Sequence, residues 1–331
     1  MPPVRDPSEE TPLTFTSGSF RWKLRLGVFL LALAALGSLA GCGPDAPTTG
    51  EPSSGQTIER YSGLIAASEF VVGPNRFPFG LVNVNGEFLE SAAVNVRFSL
   101  WDGEKSTFKT EGSAHWRTIP DNIVHAHEDG EQHLHLDFRG IYVIDEVVLP
   151  EPGIWIADFV ALADGNVSPV IEEAGFSVLP EANAPTVGTR VPATENLTID
   201  DAPFVDISTR QVEHDELHNV SVAEARDSGE PFVVVFASPQ FCVSAMCGPV
   251  VEVMDDVREA LGGEIEFIHN EPWSLTAARE RGELVPSAAI LEWRLPSEPW
   301  VFVVDREGRV AMRIEGLATE DEVIAALRAL F

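Results

Sequence analysis

The hydrophobic positions of this chain fall into three regimes. Residues 26–40 form an uncharged run rich in Leu and Ala, preceded by Arg21, Lys23 and Arg25. At ~1.5 Å per residue that run is too short to cross a roughly 30 Å hydrocarbon core comfortably. Between residues 69 and 178 the apolar residues come in short β-type runs with little helical periodicity, over 77–83, 93–101, 133–138, 141–149 and 154–161. Asn85-Gly86 is a hairpin signal, and Asp102-Gly103 and Pro152-Gly153 mark further turns. This spacing predicts a small antiparallel β-sandwich of the Ig-like kind.

Beyond about residue 196 the pattern changes. Ser221 and Glu224 make a capping box that opens a short helix, and Gly229 stands where it should stop. Residues 231–237 are a continuous apolar run, as in a buried central strand. Val250, Val253, Met254, Val257 and Leu261 share one face of a helix over 248–261. Strand character returns over 264–269, completing a β-α-β unit with a right-handed crossover. Residues 300–304 and 309–314 read as a hairpin about Asp305–Gly308. A second capping box, Thr319 with Glu322, opens a last helix with Val323, Ile324, Leu327 and Leu330 inward. The chain therefore divides into a leader (1–42), a Pro-, Gly- and Ser-rich tether (43–66), a β-sandwich (67–180), a linker (181–195) and an α/β domain (196–331).

Composition narrows the function. Asp and Glu number 52 against 22 Lys and Arg, a formal charge of -30. Such a surface argues against nucleic acid and against anionic lipid as partners. Basic residues, a short apolar run and small residues before a cut site make a secretory signal. Leu39-Ala40-Gly41-Cys42 resembles the lipobox of bacterial lipoproteins. That resemblance implies cleavage before Cys42, lipidation of Cys42, and a lipid-anchored protein on the extracytoplasmic face of the cell membrane. A plain membrane anchor with an incidental Cys42 is the competing reading.

Of three cysteines, the anchor uses one, which leaves Cys242 and Cys247 as a close pair in a compartment that permits disulfides. Closing so small a loop removes little unfolded-state entropy, so redox or metal chemistry is favoured over a static staple. Ideal helix geometry separates i and i+5 Cα atoms by ~8.6 Å, beyond the roughly 4.4–6.8 Å a disulfide accepts. If the pair closes, Cys242 lies on the turn before the helix and Cys247 in its first turn.

The order strand, Cys-bearing turn, helix, strand, helix, hairpin, helix resembles a thioredoxin fold. The residues that carry the resemblance are Val233 to Cys242, then Cys247-Gly248-Pro249, then Glu298-Pro299 through Gly308. It covers residues 196–331 and lies nearest the membrane-tethered, extracytoplasmic thioredoxin-like proteins. It implies a cis bond at Pro299, facing the active cysteine. It also implies that Cys242 attacks a client's disulfide and Cys247 resolves the mixed disulfide, with the thiolate favoured by the helix N-terminus. The family keeps two residues between its cysteines, whereas four stand here. Sco-type copper carriers, which are similar, use a Cys-x-x-x-Cys pair and a distant histidine; His269 is the histidine available, and it reads equally as a hydrogen-bonded strand-end residue.

A second candidate site is His125, His127, His133 and His135. With 128–132 as a five-residue loop, His127 opposes His133, His125 opposes His135, and all four share one face. With Asp129-Gly130 as a two-residue turn the register moves by one and the pairs part to opposite faces. Clustered imidazoles suit Cu(II) or Zn(II). The segment from Gly140-Ile141-Tyr142 through Pro152-Gly153-Ile154-Trp155 resembles YtkA-like and CopC-like sandwiches, a resemblance that covers residues 77–178 and implies copper handling near the membrane. His115, His214 and His218 read as ordinary surface residues.

Two functions follow. One is a membrane-tethered thiol-disulfide oxidoreductase, or redox-active carrier, that needs no cofactor and meets a protein thiol or disulfide client. The other is a non-enzymatic copper-binding or copper-delivery lipoprotein using the cysteine pair, the histidine cluster, or both. No Ser-His-Asp arrangement, phosphate-cradling loop or dinucleotide fingerprint is visible.

Overall fold

The computed structural model describes residues 59–331 apart from 91–92, 119–124, 127–131, 134–138, 163–168, 213–214, 243 and 245, with backbone alone at 125–126, 132–133 and 162. The leader, Cys42 and most of the tether lie outside the described residues. Among those described, no helix is long and apolar enough to cross a membrane.

The strands of the first part are β1 (Arg60–Ile65), β2 (Phe70–Val71), β3 (Gly73–Asn83), β4 (Ala93–Trp101), β5 (Ser106–Thr118), β6 (His125–Ala126), β7 (Gln132–His133), β8 (Gly140–Leu149), β9 (Gly153–Leu162), β10 (Val170–Glu172) and β11 (Ala174–Leu179). Then come α1 (Phe204–Ile207), α2 (Val222–Ser228), β12 (Phe232–Phe236), α3 (Cys247–Ala260), β13 (Glu266–Asn270), α4 (Leu275–Arg281), α5 (Ala288–Trp293), β14 (Trp300–Val304), β15 (Val310–Glu315) and α6 (Glu320–Arg328).

The expected antiparallel sandwich followed by an α/β thioredoxin-like domain is overturned. Nine strands form one mixed sheet, in the order β10-β1-β3-β8-β5-β4-β9-β11-β2, curled into a half-barrel. Its end pairs, β1 with β10 and β11 with β2, are parallel. The reason lies in β5, whose polar sequence carries little strand signal. Its first part, Ser106 to Ala114, pairs with β4, and His115 to Thr118 pair with β8. One long strand thus joins what would otherwise be two separate layers. Residues 196–331 supply only a four-stranded sheet, β13-β12-β14-β15, and short helices.

Nor do these parts stand alone. Residues 56–331 make one compact unit. Strand alternation shows how: Tyr142 and Ile144 of β8 face an aromatic core with Phe77, Phe98 and Trp155. Ile141 and Val143, on the other face, join the core that contains Val233, Val301 and Cys247. A face that an isolated sandwich would leave in water is buried instead. The tether is shorter than expected, since Arg60 already pairs in β1. Residues 181–195, expected as a linker, pack down through Ala184 and Val191, and the Val191 amide donates to Gly308 O.

Polar contacts seal the seam. Arg76 Nε donates to Glu322 (2.7 Å) and Arg313 to the buried Glu69 (3.0 Å). Glu315 accepts from Ser68 N and Oγ, from Glu69 N, and from Ser297 Oγ. The capping boxes at Ser221 and Thr319 both form, and Gly229 ends α2 with φ of 75°, a conformation glycine adopts without strain.

Candidate redox site

Strand β12 is buried at every residue, between parallel β13 and antiparallel β14. That is the environment its unbroken apolar sequence demands. It delivers the chain to Ala237 and Ser238; the turn that follows carries Cys242, and α3 begins at Cys247. The helix is held by Val250, Val253, Met254 and Val257 packed into the core. Cys247 is therefore fixed by the fold, while Cys242 rides on the turn before it.

The two cysteines form a disulfide with Cα atoms 6.0 Å apart, inside the usual range. Cys247 is fully buried and Cys242 partly exposed, with Ser244 Oγ 3.4 Å from Cys242 Sγ. An incoming thiolate thus meets Cys242 first.

Across from the disulfide, the Glu298–Pro299 bond is cis, and Pro299 O accepts from the Gly316 amide at 2.9 Å. A carboxylate oxygen of Glu298 lies within 4.8 Å of both sulfurs. The carboxylate is oriented by the Ser238 amide (2.9 Å) and the Trp273 indole N–H (2.7 Å). Burial pushes the Glu298 carboxyl up to about 7; these two donors pull against burial, and the nearby Glu271 adds to it. Sequence reasoning missed Glu298. Its only signal is an acid directly before Pro299 at the start of an apolar strand, and nothing in the sequence ties that position to the cysteines.

Among the described residues, Cys242, Cys247 and Glu298 are the group of Cys, His and acidic side chains close enough to share an ion. The disulfide consumes both sulfurs, however, and metals bind cysteine as the thiolate. In this state the cluster offers an ion no thiolate. His269 is not part of it. Its Nε2 lies 2.7 Å from Ala237 O and its Nδ1 3.2 Å from His218 Nε2. Burial, with His218 adding to it, lowers the His269 pKa to about 3.

His218, expected at the surface, is buried beside His269, with its Nδ1 3.2 Å from Asp215 Oδ1. Arg210 closes the network on Asp215 (3.0 Å) and Asp255 (2.8 Å). Burial opposes the Asp215 anion, but His218 and Arg210 outweigh it and hold the carboxyl well below its usual range. Glu271 accepts from Thr209 N and Oγ1, and burial holds it above the usual range. His115 is exposed, and His214 lies outside the described residues.

The histidine hairpin exists as backbone. β6 and β7 are antiparallel, with His125 opposite His133 and Ala126 opposite Gln132. This register is neither of the two expected ones. His127 and His135 lie outside the described residues.

No protein-family model matches the chain, and no curated protein matches it significantly.

Proposed function

We propose that this protein exchanges thiols and disulfides with a protein client outside the cytoplasmic membrane, where lipidated Cys42 would hold it. The observation that carries this reading is a disulfide at a helix start with one sulfur accessible and the other buried. In the oxidised form, a client thiolate attacks Cys242 Sγ. The Cys242–Cys247 bond breaks, Cys247 leaves, and a mixed disulfide joins the client to Cys242. A second client thiol then attacks the client's own sulfur and releases Cys242. Two electrons pass to the protein, and the client dithiol becomes a disulfide. In reverse, Cys242 attacks and Cys247 resolves. The N-terminal end of α3 favours the thiolate forms.

The test uses the full chain with a model dithiol and a model disulfide. Turnover should vanish in Cys242→Ser, and Cys247→Ser should accumulate the mixed disulfide. A potential below about −300 mV, the range of structural bridges, together with no turnover would overturn the proposal.

A further inference from the structure

The sheet beside the cysteines ends in one row. Asn270, Phe236, Trp300 and Glu315 stand side by side across β13, β12, β14 and β15. Beyond that row all four strands open onto the same edge. There β13 runs on to Trp273, β12 to the cysteine turn and β15 to Gly316, and β14 begins just after Pro299. At ~4.8 Å per strand this edge is roughly 15 Å long, and a client joined to Cys242 lies along it.

One end of the edge is taken by the nine-stranded sheet. Gly316 has φ of 81°, and a Cβ there would stand 2.5 Å from Ala66 O and 4.0 Å from Met246 Cε. Ala66 lies in the loop between β1 and β2, and Met246 directly precedes Cys247. A carbonyl of one region therefore rests on bare backbone of the other, next to the disulfide. Ala66, Met246 and Cys242 all pack on the core that contains Cys247.

The loop is held from both sides. The Ala66 amide donates to Pro78 O of β3 (2.9 Å). Glu315 accepts from Ser68 N (2.7 Å), Ser68 Oγ (2.6 Å) and Glu69 N (2.9 Å), and also from Ser297 Oγ. Ser297 directly precedes Glu298, whose carboxylate lies within 4.8 Å of both sulfurs. One carboxylate thus ties the loop to the segment that faces the disulfide. At the other end of the edge Trp273 is partly exposed, with its indole fixed on Glu298.

From this arrangement we infer that the Ala66–Glu69 loop is a specificity-determining wall of the client site: the slot between it and Trp273 takes a cysteine in a single extended peptide segment and turns away a cysteine on a folded surface. This rests on the exchange reaction proposed for the same site. With the Gly316 end covered, two strand spacings, ~10 Å, stay open over the cysteine turn and Pro299. One extended chain with its side chains fills about that width. A folded surface carries further elements ~10 Å to either side of its cysteine, and these would strike the loop.

The test follows thionitrobenzoate release by the full-length Cys247→Ser protein. The Cys242 thiolate attacks a probe's activated disulfide, a Cys242–probe disulfide forms, and thionitrobenzoate leaves with the electron pair. The probes are the symmetrical small disulfide of thionitrobenzoate, an unstructured peptide with one activated cysteine, and a compact folded domain with one on a surface helix. Each rate is divided by that of glutathione with the same probe, which removes differences in the probes' own reactivity. The corrected peptide rate should exceed the folded-domain rate by about tenfold or more. Ser68→Ala combined with Glu315→Gln loosens the loop and should raise the folded-domain rate about fivefold relative to the small disulfide. A benzophenone beside the peptide's cysteine, irradiated once the mixed disulfide has formed, should crosslink to residues 66–69. That readout decides if the double variant does not fold. Equal corrected rates for peptide and folded domain, a ratio unmoved in the folded double variant, or crosslinks that miss residues 66–69 would overturn the wall. Absence of dithiol turnover by the unmodified protein would instead overturn the proposed function, with the probe ratios and crosslinks still deciding the wall.

Discussion

The nine-stranded sheet and the Cys-bearing region bury their cores by different means. The sheet's core is aromatic: Phe77 alone packs its ring against Phe70, Phe79, Phe98 and Phe176. Among the described residues its buried polar side chains are Glu69, held by seam contacts to Asn183 N and Arg313, and Asn75, held by the local backbone of Val71 and Gly73. The Cys-bearing region buries Arg210, His218, Ser238, His269, Asn270 and Glu271 as well. Burying charge and imidazole costs stability unless every group is paired. Here those groups fall in the region that also carries the disulfide. The contrast separates an aromatic, mostly apolar core from one that also buries a polar network.

The largest expected effect lies in the second region. Cys242→Ser should abolish exchange outright while leaving the fold intact, as read by dithiol turnover and circular dichroism. In the first region the balance should reverse. Phe77→Ala removes a fully buried ring and should cost about 3–5 kcal/mol in denaturant unfolding, with exchange per folded molecule unchanged. A variant that lost exchange in proportion beyond its folded fraction would blur the division.

Asp215 sharpens it through pH. Its carboxyl titrates below the ordinary value near 4. The stability it contributes is present above that ordinary value and is lost as pH falls through it toward the depressed folded value. Asp215→Asn, which leaves Arg210 less well paired, should cost about 3 kcal/mol at pH 7. Unfolding free energy measured between pH 7 and 3 should fall less steeply in the variant than in the parent. An unchanged slope would remove the buried network from the comparison. The smallest effect is expected at the seam. Glu315→Gln weakens the grip on Ser68, Glu69 and Ser297 and should cost about 2 kcal/mol. Calorimetry should still show one transition, because β8 serves both cores; two transitions would show that the regions fold separately.

Much of the site's frame is legible in the chain's local patterns. The apolar run of β12, the capping boxes at Ser221 and Thr319, and the helix that starts beside Cys247 all follow from local rules: continuous burial, reciprocal capping and 3.6-residue periodicity. So does the need for Cys242 to precede the helix, since the pair can close only across its first turn. β5 is not legible in that way, because its mostly polar residues are exposed and only pairing with β4 and β8 makes them a strand.

Neighbours along the chain are thus enough to specify a close cysteine pair between a buried strand and an amphipathic helix. They do not specify that nine strands merge into one sheet, that β8 faces two cores, that His218 and His269 meet in the interior, or that Glu298 stands against the disulfide. Those features arise only in the folded molecule. Sheet order and long-range contact depend on which surfaces meet when both cores close together, and periodicity, which reports only which side of an element is apolar, carries no record of that choice.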